Sequence, residues 1–128
     1  KFFGIPVPNF KSFSDAFEFI VKQIGNTRLV IALDEFSYLV KETDVLAEFQ
    51  TIIDEILKET NVFLILSGSA VSMLKRSFYE YTSPLYGRCH ATLFLQPLKF
   101  KHLMEWFPKA SIESLVKIYA VTGGVPDI

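Results

Sequence analysis

The run LVIALDEFSYLV (Leu29–Val40) constrains this chain more than any other stretch. From Leu29 to Leu33 apolar side chains fall on odd and even positions alike. That is the pattern of a strand buried on both faces, and such strands belong to parallel sheets covered by helices on each side. The run stops on two adjacent carboxylates, Asp34 and Glu35, and then resumes. In open α/β sheets ligands bind in the crevice beyond the carboxyl ends of the strands. The acid pair is expected to stand there.

A second buried-strand pattern, NVFLILSGS (Asn61–Ser69), ends on small polar residues. Between the two runs Val45, Phe49, Ile52, Ile53, Ile56 and Leu57 recur at helical spacing, with Glu48, Asp54, Glu55, Lys58 and Glu59 on the opposite face. Strand, long helix, strand makes a βαβ unit, which predicts two parallel strands with a right-handed crossover. Ahead of the first strand, Phe13, Ala16, Phe17, Ile20 and Ile24 mark another amphipathic helix. Ser12 with Asp15 forms its capping box, and Gly25–Asn26 its stop. FFGIPVPNF (Phe2–Phe10), with two prolines and a glycine, suits an extended lead-in.

After Ser69, read as the N-cap of a short helix from about Ala70, comes a loop through SPLYGR (Ser83–Arg88), and ATLFL (Ala91–Leu95) is a third strand candidate. From Phe100 to Val121 the pattern is helical, with a break at Pro108 and a restart after Ser111 that groups Ile112, Leu115, Val116 and Tyr119. The chain ends on TGGVPDI. The phenylalanines Phe13, Phe17, Phe49 and Phe63 fall at core spacing and are assigned to packing rather than base stacking.

At 128 residues, half of them hydrophobic, the chain is a folded piece of one domain at most. Its net charge of −1 gives no general attraction to nucleic acid or to an anionic membrane. No apolar run approaches the roughly 18 residues that span a bilayer. One cysteine, Cys89, and two histidines, His90 and His102, supply neither a disulfide nor zinc-ligand spacing, and fit a cytoplasmic setting. A start at Lys1 instead of methionine suggests a fragment.

An apolar strand ending in Asp-Glu is what a nucleotide hydrolase needs in its Walker B position. The first acid holds Mg²⁺ directly or through water, and the second orients or deprotonates the attacking water. The same letters fit a plainer reading, in which Asp34 caps a turn and Glu35 is solvated.

The chain as a whole resembles the archaeal-type ATPases of the AAA+ and STAND branches of P-loop NTPases. In the group it resembles most, the ATPase domain precedes a winged helix and often a nuclease-like tail. FGIPVPNFKSF, RLVIALDEFSYL, NVFLILSGSAVSMLK, SPLYGR and IYAVTGGVPDI carry the resemblance. It implies a three-layer P-loop NTPase-like parallel sheet, incomplete here, over residues 1–99, and the start of a helical lid over 100–128. It implies ATP and Mg²⁺ as ligands, with Asp34 as the magnesium-associated acid, Glu35 as catalytic base and Ser67 as the sensor-1 hydroxyl. Arg88 would be a sensor or finger, acting in cis or in trans. Gly123, Gly124 and Pro126 correspond to a GxP motif whose proline packs on the adenine, although Asp127 departs from the larger residue usual after it. For Ser67 a strand end before a glycine turn, for Arg88 a salt bridge fixing its loop, and for the glycines a helix C-cap explain the same residues.

No GxxxxGK[ST] occurs, so the backbone N–H cradle, phosphate-binding lysine and magnesium-binding hydroxyl of a P-loop are not supplied by these residues. The partner that follows is the rest of the same ATPase domain. Strand edges left bare by its absence leave self-association open. A non-catalytic α/β interaction module stays the alternative. A phospho-acceptor receiver domain fits less well, because its acidic pair should end the first strand.

Overall fold

The computed structural model describes residues 8–41 and 43–125. The chain divides into two compact units, Lys1–His90 and Ala91–Ile128, ahead of the helix that opens at Phe100. Most of the Phe2–Phe10 lead-in, together with Pro126, lies outside the described residues.

The first unit begins with helix α1 (Phe13–Ile24). Ser12 caps it, its Oγ accepting from the Asp15 amide at 3.1 Å, and Asp15 reaches back one residue further than a capping box requires, to the Lys11 amide at 3.2 Å. The Ser14 amide donates to Glu48 Oε1 at 2.8 Å, which ties the start of α1 to the following helical layer. Strand β1 (Leu29–Leu33) leads into a four-residue helix, α2 (Phe36–Leu39), and then α3 (Thr43–Thr51). From Ile52 to Ile56 α3 widens into a π turn, with the Leu57 amide donating to the Ile52 carbonyl at 2.9 Å. Strand β2 (Val62–Leu66) follows, then α4 (Val71–Tyr79).

The expected βαβ pairing is present. β1 and β2 are parallel neighbours, with Leu29 opposite Val62 and Leu33 opposite Leu66. Ile31, Leu33, Leu64 and Leu66 pack on a core of Phe17, Phe36, Val45, Phe49, Ile52 and Leu85. Phe49 is its hub, with ring centroids 5.4 Å from Phe13, 6.1 Å from Phe17 and 4.8 Å from Phe36, in the tilted and edge-on arrangements aromatic rings prefer.

Only this face of the sheet is covered by described residues. Val30 (56% exposed), Phe63 (58%) and Ile65 (42%) stand on the other, so Phe63 is a surface residue of this chain and not part of its core. The both-faces pattern implies cover on each side of the sheet, and the described residues supply it on one. Ala91–Leu95 is likewise not a strand. Among the described residues the sheet consists of β1 and β2, and a short apolar run does not by itself distinguish a strand from irregular chain.

The second unit is a pair of helices, α5 (Phe100–Trp106) and α6 (Ile112–Thr122), broken around Pro108 as expected. Leu103 and Leu115 are buried, and Phe100 meets Tyr119 edge-on at 5.6 Å. Ser111 caps α6 through the Ser114 amide at 3.2 Å. His102 has a structural use: its Nδ1 accepts from the Lys99 amide at 3.1 Å. No helix among the described residues is long and apolar enough to cross a membrane.

Candidate functional site

The parallel ladder continues one step past β1, because the Ser67 amide donates to the Leu33 carbonyl at 3.0 Å. The chain then turns sharply. Glu35 has φ 52° and ψ 36°, the only non-glycine residue among those described with positive φ. This left-handed residue brings the Phe36 amide back to the Ser67 carbonyl at 2.7 Å. Asp34 and Glu35 are thereby lifted off the sheet end while Phe36 drops into the core. A left-handed conformation costs a residue with a Cβ about 1–2 kcal/mol, and such residues gather at functional sites.

Across the strand ends the polar groups converge. Ser67 Oγ donates to Asp34 Oδ1 at 2.5 Å, and the Glu35 amide donates to the same oxygen at 2.9 Å. These two bonds, the serine's first, hold the Asp34 carboxyl below the usual carboxylate range. Glu35 Oε2 accepts from Ser69 Oγ at 3.2 Å and the Ser69 amide at 3.4 Å, with the Ser37 hydroxyl at 3.5 Å. Among the described residues no donor reaches Asp34 Oδ2 or Glu35 Oε1, and both side chains are exposed. One oxygen of each acid is thus anchored and the other is presented.

Ser69 is not the N-cap of α4. That place falls to Ala70, which makes no side-chain cap, and the Ser69 hydroxyl goes to Glu35 instead. Gly68 between the two serines is needed for a close approach, since a Cβ there would sit 2.9 Å from Ser37 Oγ and 3.2 Å from Leu74 Cδ1. Ser37, Ser69 and Gly68 were invisible as site residues in the sequence, where Ser37 follows the acid pair in DEFSYL and SGS (Ser67–Ser69) reads as a strand end before a helix cap.

Arg88 does not join this group. Its Nε donates to Asp54 Oδ1 and Oδ2 at 2.8 and 3.0 Å, its Nη2 to Asp54 Oδ2 at 2.6 Å, and its Nη1 to the Pro84 and Tyr86 carbonyls at 2.8 and 3.1 Å. The Arg88 hydrogen bond holds the Asp54 carboxyl below the usual carboxylate range, and the aspartate in turn raises the affinity of the guanidinium for its proton. In the second unit Gly123 closes α6 with φ 60°, its amide donating to the Tyr119 carbonyl at 2.9 Å. The Leu98 amide then donates to the Gly124 carbonyl at 2.8 Å.

Among the described residues no three His, Cys, Asp or Glu side chains cluster as a metal cage. A magnesium ion does not need one. It keeps most of its waters and is commonly held by one or two carboxylates plus substrate phosphates, and the exposed Asp34 with one oxygen presented fits that donor set.

A parallel strand pair with an acid pair at one strand end and hydroxyl residues at the next puts the chain in the class of α/β ATPase-like domains. It belongs to the ATPase domain family found predominantly in Archaea, whose model matches residues 5–128. An uncharacterized protein of Methanocaldococcus jannaschii is 50% identical over 98 residues, which is 76% of this chain and 22% of that protein. A second from the same organism is 47% identical over 57 residues, 44% of this chain and 55% of that protein. The chain therefore spans about a fifth and about half of these relatives. The fold is similar to that of a Walker-type ATPase of Pyrococcus abyssi, with a TM-score of 0.63 and 23% identity over 97% of this chain and 41% of that one.

Proposed function

We propose that this chain carries the Walker B and sensor-1 part of an ATP-binding and ATP-hydrolysing switch or motor domain of the AAA+ or STAND type, working in the cytoplasm. The observation that carries the reading is the acid pair at the end of β1, cross-braced to β2 by Ser67 and Ser69, in a chain of an ATPase family.

Asp34, through its presented oxygen, would hold the hydrated magnesium ion of Mg-ATP. The ion, when bound, neutralises charge on the β- and γ-phosphates. Glu35 is the base: anchored through Oε2, it accepts on Oε1 a proton from the water that attacks the γ-phosphorus as the bond to the β-bridging oxygen breaks. Ser67 has a single hydroxyl hydrogen, engaged with Asp34, and serves as sensor by exchanging that acceptor for a phosphate oxygen or the attacking water. Arg88 supplies a guanidinium to charge developing on the transferred phosphoryl group, and Gly123, Gly124 and Pro126 are the GxP-like motif that we assign to the adenine. The P-loop is contributed by the remainder of the domain, the first partner of this chain, with a winged-helix or nuclease-like domain beyond it. The second reading is a non-catalytic α/β interaction module that retains Walker B-like letters, and a P-loop upstream in the parent polypeptide would separate the two.

The experiment is Glu35→Gln in a polypeptide that joins this chain to a P-loop segment. The amide keeps shape but cannot take the proton, so ATP should bind as before while hydrolysis falls about 10²-fold or more. Hydrolysis at the unsubstituted rate would return Glu35 to a solvated turn residue.

A further inference from the structure

Asp54 stands outside the acid-pair cluster and pairs with Arg88, from a position that α-helical periodicity assigns to solvent. It lies nine residues after the buried Val45, half a turn out of phase at 3.6 residues per turn, and would point away from the core. The π turn from Ile52 to Ile56 inserts an extra residue into that helix, and Asp54 stands inside it. Single π turns inside α-helices recur at functional sites. From this position the Asp54 carboxylate, with the side chain 40% exposed, lies against the edge of a guanidinium that is itself 26% exposed.

The guanidinium is nearly saturated. Nε–H and one Nη2 hydrogen go to Asp54, and both Nη1 hydrogens go to carbonyls of the arginine's own loop. Among the described residues no acceptor faces the second Nη2 hydrogen. Because the group is planar and its five N–H bonds lie in a rigid fork, fixing four of them fixes the direction of the fifth. The loop has a second anchor in Leu85, which is fully buried and whose carbonyl accepts from the Arg88 amide at 3.2 Å. Ser83 Oγ adds a bond to the Ser77 carbonyl. Arg88 stands two residues before His90, where the first unit ends.

We infer that Asp54 is the positioning residue for Arg88, the π turn serving to aim a carboxylate that sets the plane of the guanidinium and the direction of its one remaining donor. This role rests on the reading above in which Arg88 serves hydrolysis. It goes beyond a loop staple, because a staple needs only attraction, whereas aiming needs the fork.

The test uses the polypeptide that includes the P-loop, assayed at a temperature where circular dichroism shows every variant folded. Asp54→Ala and Arg88→Ala should each lower kcat by about tenfold to a hundredfold with KM for ATP little changed, the size of effect that misplacing a reacting group produces. The double variant should be no slower than Arg88→Ala alone. Arg88→Lys, which keeps the charge and loses the fork, should be as slow as Asp54→Ala, and Asp54→Glu should restore part of the rate. If Asp54→Ala does not fold, Asp54→Asn, with the same shape, carries the comparison. Asp54→Ala with a lowered melting temperature and a kcat within twofold of the parent would reduce the pair to a staple and overturn the assignment, as would losses that multiply in the double variant. Arg88→Ala at full rate would remove Arg88 from hydrolysis and the positioning role with it. A slow Arg88→Ala beside a normal Asp54→Ala would defeat the positioning role alone.

Discussion

Gly123 and Gly124 are adjacent, both have positive φ, and both belong to the turn that resembles a nucleotide-binding motif, yet alanine at the two positions should behave very differently. At Gly123 (φ +60°) an added Cβ meets nothing within 4 Å. Its cost is the left-handed conformation alone, about 1–2 kcal/mol. At Gly124 (φ +80°) the same backbone cost applies, and the Cβ would also lie 2.1 Å from the Leu98 carbonyl oxygen and 3.1 Å from Tyr119 Cε2. The oxygen is more than an ångström inside ordinary contact and is backbone, so no side-chain rotation relieves it. The chain must separate there, and the bond from the Leu98 amide to the Gly124 carbonyl goes with it. A lost hydrogen bond adds roughly 0.5–1.5 kcal/mol, and disturbing the contact with Tyr119 adds more, so Gly124→Ala should cost about 3 kcal/mol or above. Hydrogen exchange at the Leu98 amide reads this directly. Relative to the parent, its exchange should speed up by about 10²-fold or more in Gly124→Ala and by about tenfold in Gly123→Ala, at 1.4 kcal/mol per decade. Equal acceleration in the two variants, or a Leu98 amide still protected in Gly124→Ala, would refute the close-approach reasoning.

Two further outcomes follow from surface and charge. The bare sheet face of Val30, Phe63 and Ile65 should make the 128-residue chain associate in sedimentation, and Phe63→Lys with Ile65→Thr should reduce that association without lowering the melting temperature, because both side chains already face solvent; undiminished association would place the contact elsewhere. Asp34 and Asp54 both have lowered folded-state pKa values, so what they add to stability is complete above the unfolded value near 3.9 and is lost as pH falls through the folded one. The difference in urea midpoint between the parent and Ser67→Ala should therefore be constant from about pH 5 to 8 and shrink below about pH 4; a difference that instead grows on acidification would contradict it.

The parallel strands, the caps at Ser12 and Ser111 and the grouping of Asp34 with Ser67 were legible because each is set by local pattern or by the geometry of a βαβ crossover. What the pattern could not reveal depends on neighbours. Phe63 reads as core because the β2 run is written for two covered faces, and a strand pattern does not specify what covers each of them. Ala91–Leu95 reads as a strand by the same logic. Asp54 sat among Glu48, Glu55, Lys58 and Glu59 on what α-helical periodicity makes a solvent face, and nothing in the letters IIDEI announces either the π turn or the partner, Arg88, that Asp54 finds. Gly68 and Gly124 look like turn residues, whereas what excludes a side chain is the approach of Ser37 in one case and of the Leu98 carbonyl in the other.

The resumption of apolar residues after the acid pair has a physical reason in the left-handed turn at Glu35. Had β1 simply continued, Asp34 and Glu35 would alternate between its two faces, and only one could meet a ligand at the strand end. With Glu35 at positive φ the backbone doubles back, the Phe36 amide closes on the Ser67 carbonyl, and both acids project from the same edge. A glutamate would not hold that conformation unaided. The fully buried Phe36 ring, set edge-on against Phe49, holds the chain on one side of the turn, while the cross-strand bonds to Ser67 and Ser69 hold it on the other. The core is thus coupled to the chemistry: removing the Phe36 ring, a change that costs a core about 3–5 kcal/mol, would release the restraint on Glu35 as well as open a cavity.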